Sequence, residues 1–514
     1  MSRIILFIAY VVAINLLLSC SRLVQTLELC GFTKKWAYDS VREKIMEAER
    51  LSATGGNLWL SPKEEKANSI LMNAKRQEIA EGLKKPDMYP PGMHFFHAKP
   101  LIRQSEVFRI IQKMPKGAFL HGHNKGIVSS KWVIKNLTSQ YNVYTCRDER
   151  GVMLFTFRNT SRCSSELKNV CVERLNTDDR RQYDRQLEKH VNMYTMHPES
   201  LITENQKIWR RFEDVFDSID NFYRYLPVFR AYHRRMMEEL YEDNIIYAEI
   251  RASLSELYGD KNKTYDALEV ADELEKVVNE YKDSNPDFVG MKVIYAKKNK
   301  GTVDDMTERI VRFKELHSAK PNFIIGFDLV GQEDLGDPLH KFVTELSDIP
   351  TGAHFFFHAG ETKWYGKTDW NLMDAILLNT RRIGHGFALS KHPQLWDTVK
   401  NRGIAIEVNP ISNQVLGLVW DLRNHPASFF IAEDIPIIIS ADDPGIWNAK
   451  GLSYDFYYAF MSFAPVDADL RILKQFALNS IKYSVLNGDE RRKINKVFRR
   501  KWDEFIDDVT NLRF

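Results

Sequence analysis

From residue 117 to residue 443 the chain repeats one pattern: a short apolar run, a polar or small residue that ends it, and a stretch of helical period before the next run. Eight runs fit: "GAFLHGH" (117–123), "IIYAEIR" (245–251), "MKVIYA" (291–296), "FIIGFDLV" (323–330), "HFFFHAGE" (354–361), "RIGHG" (382–386), "IAIEVNP" (404–410) and "IPIIISADD" (435–443). Runs that are apolar throughout belong to parallel sheets covered on both faces. Parallel neighbours need a crossover of a dozen residues or more, and from the second run onward the spacing is that of strand plus helix. Eight such units predict an α/β fold, a (β/α)8 barrel of TIM type. That barrel takes about 250 residues, so a chain of 514 has room for additions.

The additions fall in three places. The gap between the first two runs is too long for one crossover helix, and residues 137–186, with Cys146, Cys163 and Asn159, read as a small inserted module. A Cys146–Cys163 bridge would close a short loop and contribute about 3 kcal/mol. Residues 27–100 are charged and helix-forming up to the turn "YPPG", which predicts an N-terminal helical extension ahead of a barrel region over 101–514. Residues 1–21 carry Arg3, an apolar run from Ile4 to Leu18, and small residues at Ser19 and Ser21, the pattern of a cleaved signal peptide. That run is shorter than the roughly 20 residues that span a bilayer, so the mature chain is expected to be secreted with no membrane span.

Export agrees with the sequons at Asn136, Asn159 and Asn262 and with the cysteines. Cys20 would leave with the signal, and Cys30, Cys146, Cys163 and Cys171 remain, an even number; whether Cys30 pairs with Cys171 stays open. No C-x-x-C pair is present, so these cysteines are not expected to bind zinc. A net charge of +3 and two short basic clusters, read as solvated helix faces or loops, give no reason to expect a nucleic-acid partner.

Polar residues stand where the runs end: His121 and His123 on the first, Asp328 and Gly331 after the fourth, His358 and Glu361 on the fifth, His385 on the sixth, Asp442 and Asp443 on the eighth. The C-terminal strand ends of such a barrel form one rim, where active sites are built. A lone histidine on an apolar strand is usually a hydrogen-bonded core residue. In His121-x-His123, however, side chains at i and i+2 project to one face and both imidazoles can reach one ion. With His358 and Asp442 they make three imidazoles and one carboxylate, a set that selects zinc before magnesium or calcium. Such a site has room for a water whose pKa falls from about 16 to near 7. His385 can then take the water proton, Asp443 can hold the hydroxide or a ring nitrogen, and Glu361, leaving an apolar strand, gains a raised pKa by burial and can donate a proton.

The segments "MPKGAFLHGH", "GFDLVGQED", "FFHAGET", "RIGHGFALSKHP", "PISNQVLGLVWDLRNHP", "SADDPG" and "KGLSYDFY" closely resemble the secreted adenosine deaminase 2 and adenosine deaminase-related growth factor family, from about residue 30 to the end. The resemblance implies hydrolytic deamination of adenosine and 2′-deoxyadenosine. It implies zinc on His121, His123, His358 and Asp442, protonation of purine N1 by Glu361, and placement of the hydroxide at C6 by His385 and Asp443. It also implies a ring contact from the Gly331 amide. Trp209, in "NQKIWRRFE", resembles a tryptophan near the ribose and reads equally as a core residue of an amphipathic helix. The N-terminal helices resemble a homodimerisation region, and the insertion resembles a module that binds a cell-surface receptor or glycosaminoglycan. A second reading is therefore a growth-factor-like extracellular ligand with weak or vestigial deaminase activity. The family pattern His-x-His-Asp, with a bulkier middle residue, is here His121-Gly122-His123-Asn124. Asn124 can meet a ribose hydroxyl, but without the roughly twofold greater strength of a charge-assisted bond.

Overall fold

The computed structural model describes residues 35–157, 162–164, 167–202, 205–260 and 263–514. The signal segment, Cys20, Cys30, Asn159 and Asn262 lie outside them.

Strand β1 (Gly117–Phe119) opens the barrel. An antiparallel trio, β2 (Tyr144–Arg147), β3 (Met153–Thr156) and β4 (Lys168–Asn169), belongs to the insertion. The barrel resumes with β5 (Ile245–Ala252), β6 (Gly290–Lys298), β7 (Ile324–Val330), β8 (His354–Phe355), β9 (His358–Ala359), β10 (Arg382–His385), β11 (Ala405–Val408) and β12 (Ile437–Ile439). β1-β5-β6-β7-β8 form one parallel sheet and β9-β10-β11-β12 another. β8 and β9 are two halves of the fifth predicted strand, one pairing with β7 and the other with β10. A parallel bridge between Gly122 and Asp442 joins the last strand end to the first and closes the ring.

All eight predicted runs thus contribute to the barrel wall. The first is shorter than its apolar pattern: beyond Phe119 the chain leaves the regular ladder, and His121, Gly122 and His123 continue as isolated contacts to Asp442 and Arg251. β5, β10, β11 and β12 are buried at every residue, as strands covered on both sides must be.

Ahead of the barrel, helix α1 (Lys35–Ser52) has no buried residue. Helix α2 (Pro62–Lys84) starts with a Ser61/Glu64 capping box and is anchored to the C-terminal part of the chain, with Trp502 Nε1 of the last helix donating to Glu64 Oε1 (2.8 Å) and Lys75 Nζ donating to the carbonyls of Pro465 (3.0 Å) and Ala468 (2.8 Å) in a turn. A further helix, Phe95–Ile102, crosses the expected boundary at residue 100.

In the insertion, Cys146 and Cys163 are joined by a disulfide with their Cα atoms 5.4 Å apart, while Cys171 is a free thiol that donates to Thr138 O and Tyr141 O. Asn136 is half-buried in a short π-helix, its Nδ2 donating to Trp132 O (3.0 Å). Replacing both Cys146 and Cys163 by serine is expected to lower the unfolding free energy of the insertion by about 3 kcal/mol. Proteolysis confined to that segment under native conditions is the measurement; unchanged protection contradicts it. No helix among the described residues is long and apolar enough to cross a membrane.

Candidate metal centre and active-site cavity

The four predicted ligands meet at the C-terminal mouth of the barrel. One ligand atom each from His121, His123, His358 and Asp442 lies within 4.8 Å of all the others. His123 Nε2 is 3.1 Å and His121 Nε2 is 3.3 Å from Asp442 Oδ1. Two of the site's residues sit in left-handed backbone, Asp442 at φ 58° and His385 at φ 62°, a conformation rare outside glycine and one that stores strain where function needs it. Gly122 answers a close approach instead: a Cβ there would stand 2.3 Å from the Phe119 ring and 2.9 Å from Asp442 O. The bulkier residue of the family pattern is therefore excluded here by Phe119. Gly126 likewise makes room for Asp443, whose Oδ1 would lie 1.8 Å from a Cβ.

Beneath the ligands lies a network buried completely. His121 Nδ1 donates to Glu407 Oε2 (2.6 Å) and His358 Nδ1 donates to Asp328 Oδ2 (2.7 Å), so both rings turn Nε2 toward the centre. Arg251 bridges the two carboxylates, donating to Asp328 Oδ2 and Glu407 Oε2 at 2.7 Å each. Arg382 donates to Glu407 Oε1 (2.5 Å) and forms an ion pair with Glu249 Oε2 (2.7 Å). Burial works to raise the Glu407 pKa, but Arg251, Arg382 and His121 hold it well below the carboxylate range. Burial holds His358 neutral, with its pKa lowered to about 4 against the pull of Asp328. Ser412 Oγ donates to Asp442 Oδ2 (2.8 Å). Burial likewise opposes ionisation of Asp442, and the neighbouring His121 and His123 imidazoles outweigh it and hold its pKa well below the carboxylate range.

Whether these residues fit a cation is decided by what they leave over. His121 Nε2 and Asp442 Oδ1 are buried and have no hydrogen-bond partner among the described residues. Two buried polar atoms aimed at one point, each costly to leave unsatisfied, are what a bound cation would complete. Glu407→Gln is expected to weaken metal binding 10- to 100-fold, about the usual effect of removing such a supporting carboxylate. Competition with a chelator measures it, and unchanged affinity contradicts the supporting role.

Glu361 is buried at the cavity floor, where burial and then the charges of Asp442, Glu333 and Asp334 push its pKa well above the carboxylate range. Glu333 fixes its backbone, accepting from the Gly360 N–H (3.0 Å) and the Glu361 N–H (2.6 Å). Asp443 is also buried, its pKa raised by burial, Asp442 and Glu361. His385 Nδ1 is 3.4 Å from Glu361 Oε1, and His385 Nε2 is 3.9 Å from Asp442 Oδ2. Above them opens a cavity of about 350 Å³, of the size that holds a small organic ligand.

The chain has relatives among known proteins. Residues 16–111 match the adenosine/AMP deaminase N-terminal family, and residues 180–500 match the adenosine deaminase family. Adenosine deaminase 2 of Homo sapiens is 42% identical over 490 residues, covering 93% of this chain and 95% of its own. The chain belongs to the adenosine deaminase family. An adenosine deaminase of Lutzomyia longipalpis is 40% identical, covering 91% of this chain and 93% of its own. Among solved structures, an Arabidopsis N6-mAMP deaminase shares the fold at a TM-score of 0.55 and 15% identity, over 76% of this chain and 99% of that one. As an adenosine deaminase family member the protein is a hydrolase acting on C–N bonds.

The residues expected from the sequence to bind metal, act in catalysis or contact substrate lie at or beside this cavity. Asn124, Gly331 and Trp209 line it with His123, Glu361 and Asp443. Trp209 is 6% exposed and packs edge-on against Phe212, so it is a core residue and a cavity wall at once. Its helix, α3 (Asn205–Tyr223), also turns Phe212, Phe216 and Asp217 to the cavity, at spacings that share one helix face. The sequence reading missed the supporting layer: Glu407, Arg251, Arg382, Glu333 and Ser412. For three of these a signal existed, because Arg251, Arg382 and Glu407 are charges written inside apolar strands.

Proposed function

We propose that the protein is an extracellular, zinc-dependent adenosine deaminase that converts adenosine and 2′-deoxyadenosine with water to the inosine products and ammonia. The observation that carries the reading is the convergence of His121, His123, His358 and Asp442 beside a buried Glu361, whose pKa burial pushes up, at one cavity. Three imidazoles and one carboxylate suit zinc, while magnesium and calcium prefer oxygen shells. Zinc held there would supply Lewis acidity, which lowers the pKa of water from 15.7 to about 7.

The chain's own residues do the rest. The ribose lies by Trp209 with Asn124 at a hydroxyl, and the Gly331 amide contacts the purine ring. Glu361, neutral because it is buried among carboxylates, gives its proton to N1 and makes C6 electron-poor. His385 and Asp443 hold the attacking water oxygen against C6; of its two protons one passes to the amino group, which leaves as ammonia, and the other restores Glu361. The assay is loss of the adenosine absorbance band with ammonia measured in parallel. One ammonia per adenosine consumed is expected from zinc-loaded protein collected outside the secreting cell, and adenosine left untouched by that protein contradicts the reading.

The reading includes a homodimer built by the N-terminal helices. What supports it is α1, which buries nothing within its own chain and leaves Trp36 70% exposed. A monomeric mass in light scattering contradicts this part alone.

A further inference from the structure

His385 stands at the end of a line of buried hydrogen bonds whose direction is set from its far end. The backbone N–H of Ala427 lies 3.0 Å from His425 Nδ1. A backbone amide can only donate, so Nδ1 accepts, and the one proton of the neutral ring sits on Nε2. Burial keeps that ring neutral, with its pKa lowered to about 3. His425 Nε2 is 2.9 Å from Asn413 Oδ1, and Asn413 Nδ2 is 2.9 Å from His385 Nδ1. The imidazole N–H requires the amide oxygen, which leaves the amide NH2 for His385. The Nδ1 of His385 therefore accepts as well.

We infer that the Ala427 amide, His425 and Asn413 form a one-way relay that fixes His385 as its Nε2–H tautomer. His385 then meets the attacking oxygen as a hydrogen-bond donor and not as the base that takes the water proton. The reverse arrangement would set His425 Nδ1–H against the Ala427 N–H, two donors 3.0 Å apart in a site where Asn413 is 0% and His425 1% exposed. A buried donor without an acceptor is costly enough to exclude it. Glu361 Oε1, the other group near His385 Nδ1, makes no hydrogen bond with a described residue and does not compete. At the reacting end His385 Nε2 is buried and makes no hydrogen bond with a described residue, so its proton is free for the attacking oxygen. Asn413 and His425 are positioning residues: they act through His385 and do not line the cavity. The role given to His385 rests on the deaminase reading; its tautomer does not.

The test inverts the relay. Asn413→Asp presents acceptors to both neighbours, so it still takes the His425 Nε2–H but draws the His385 proton to Nδ1. In 15N-histidine-labelled protein, NMR reports which nitrogen of His385 is protonated, with and without zinc. Wild type is expected to show Nε2–H and Asn413→Asp to show Nδ1–H. Its kcat should fall roughly 10²- to 10⁴-fold, the scale of a wrong histidine tautomer in the serine-protease triad. Metal content should be unchanged and KM should stay within about twofold, since only a transition-state contact is lost. A second pair guards against misfolding. His425→Phe frees the Asn413 amide to turn, whereas His425→Gln can accept from Ala427 through its oxygen and donate through its amide, and should recover most of the turnover lost in the phenylalanine variant. A wild-type His385 protonated on Nδ1, an unchanged tautomer in Asn413→Asp, or equal turnover in the two His425 variants overturns the relay. Wild type that shows Nε2–H but leaves adenosine untouched supports the relay and sinks the deaminase reading instead.

Discussion

Replacing Glu361 by glutamine is expected to lower kcat for adenosine about 10³-fold or more, near the upper range for loss of a general acid. The side chain keeps its shape and loses only its acidic proton. Glu361 Oε1 has no hydrogen-bond partner among the described residues, so the fold does not depend on the carboxyl form. The backbone of the turn is held separately, by Glu333. Metal content and KM should therefore stay close to wild type while kcat falls, the pattern of an interaction made only in the transition state. Steady-state kinetics with metal analysis of the same preparation reads both. A variant that retains turnover removes Glu361 from the mechanism.

The second large effect is on stability. Stripping the metal should lower the melting temperature, because His121 Nε2 and Asp442 Oδ1 would then be buried without a partner. A ligand at about 1,000 times its dissociation constant stabilises by roughly 4 kcal/mol. For a chain of 514 residues that corresponds to a shift of about 4 °C. Differential scanning fluorimetry with a chelator, followed by zinc addition, should show the loss and its reversal. A melting curve indifferent to chelator would mean that these four side chains hold no cation in the folded protein.

How much of this could be read from the sequence follows from where each residue's partners lie. The barrel strands were legible because burial on both faces writes a continuous apolar run, as in Ile404–Val408 or Ile435–Ile439. Their ends were less so. The run at 117–123 stays apolar up to His121, yet the ladder stops at Phe119, because the chain must turn to aim His121 and His123 at Asp442. The fifth run breaks between Phe355 and His358, where pairing passes from one sheet to the other.

The metal ligands were visible as polar residues closing apolar runs, and the carboxylates Glu361 and Asp443 for the same reason. Arg251 and Glu407 are equally polar but stand inside strands, where a charge acquires meaning only when its buried partner is known. Asn413 and His425 fall in a segment that carries the family resemblance, yet no strand end or spacing marks either as part of the site. They lie in short helical and turn segments after β11, and what they do depends on the direction of hydrogen bonds that only the folded chain arranges. The helical extension was readable from composition, but its docking through Glu64 and Lys75 onto segments some 400 residues away was not.

Metal reconstitution with turnover as the readout tests the central claim most directly: one cation held by His121, His123, His358 and Asp442 serves the hydrolysis of adenosine. Zinc titrated into chelator-stripped protein should restore activity in proportion and reach its plateau at one ion per chain, with no recovery in the Asp442→Ala variant. Full activity in metal-free protein, or a plateau that the Asp442→Ala variant also reaches, would contradict it.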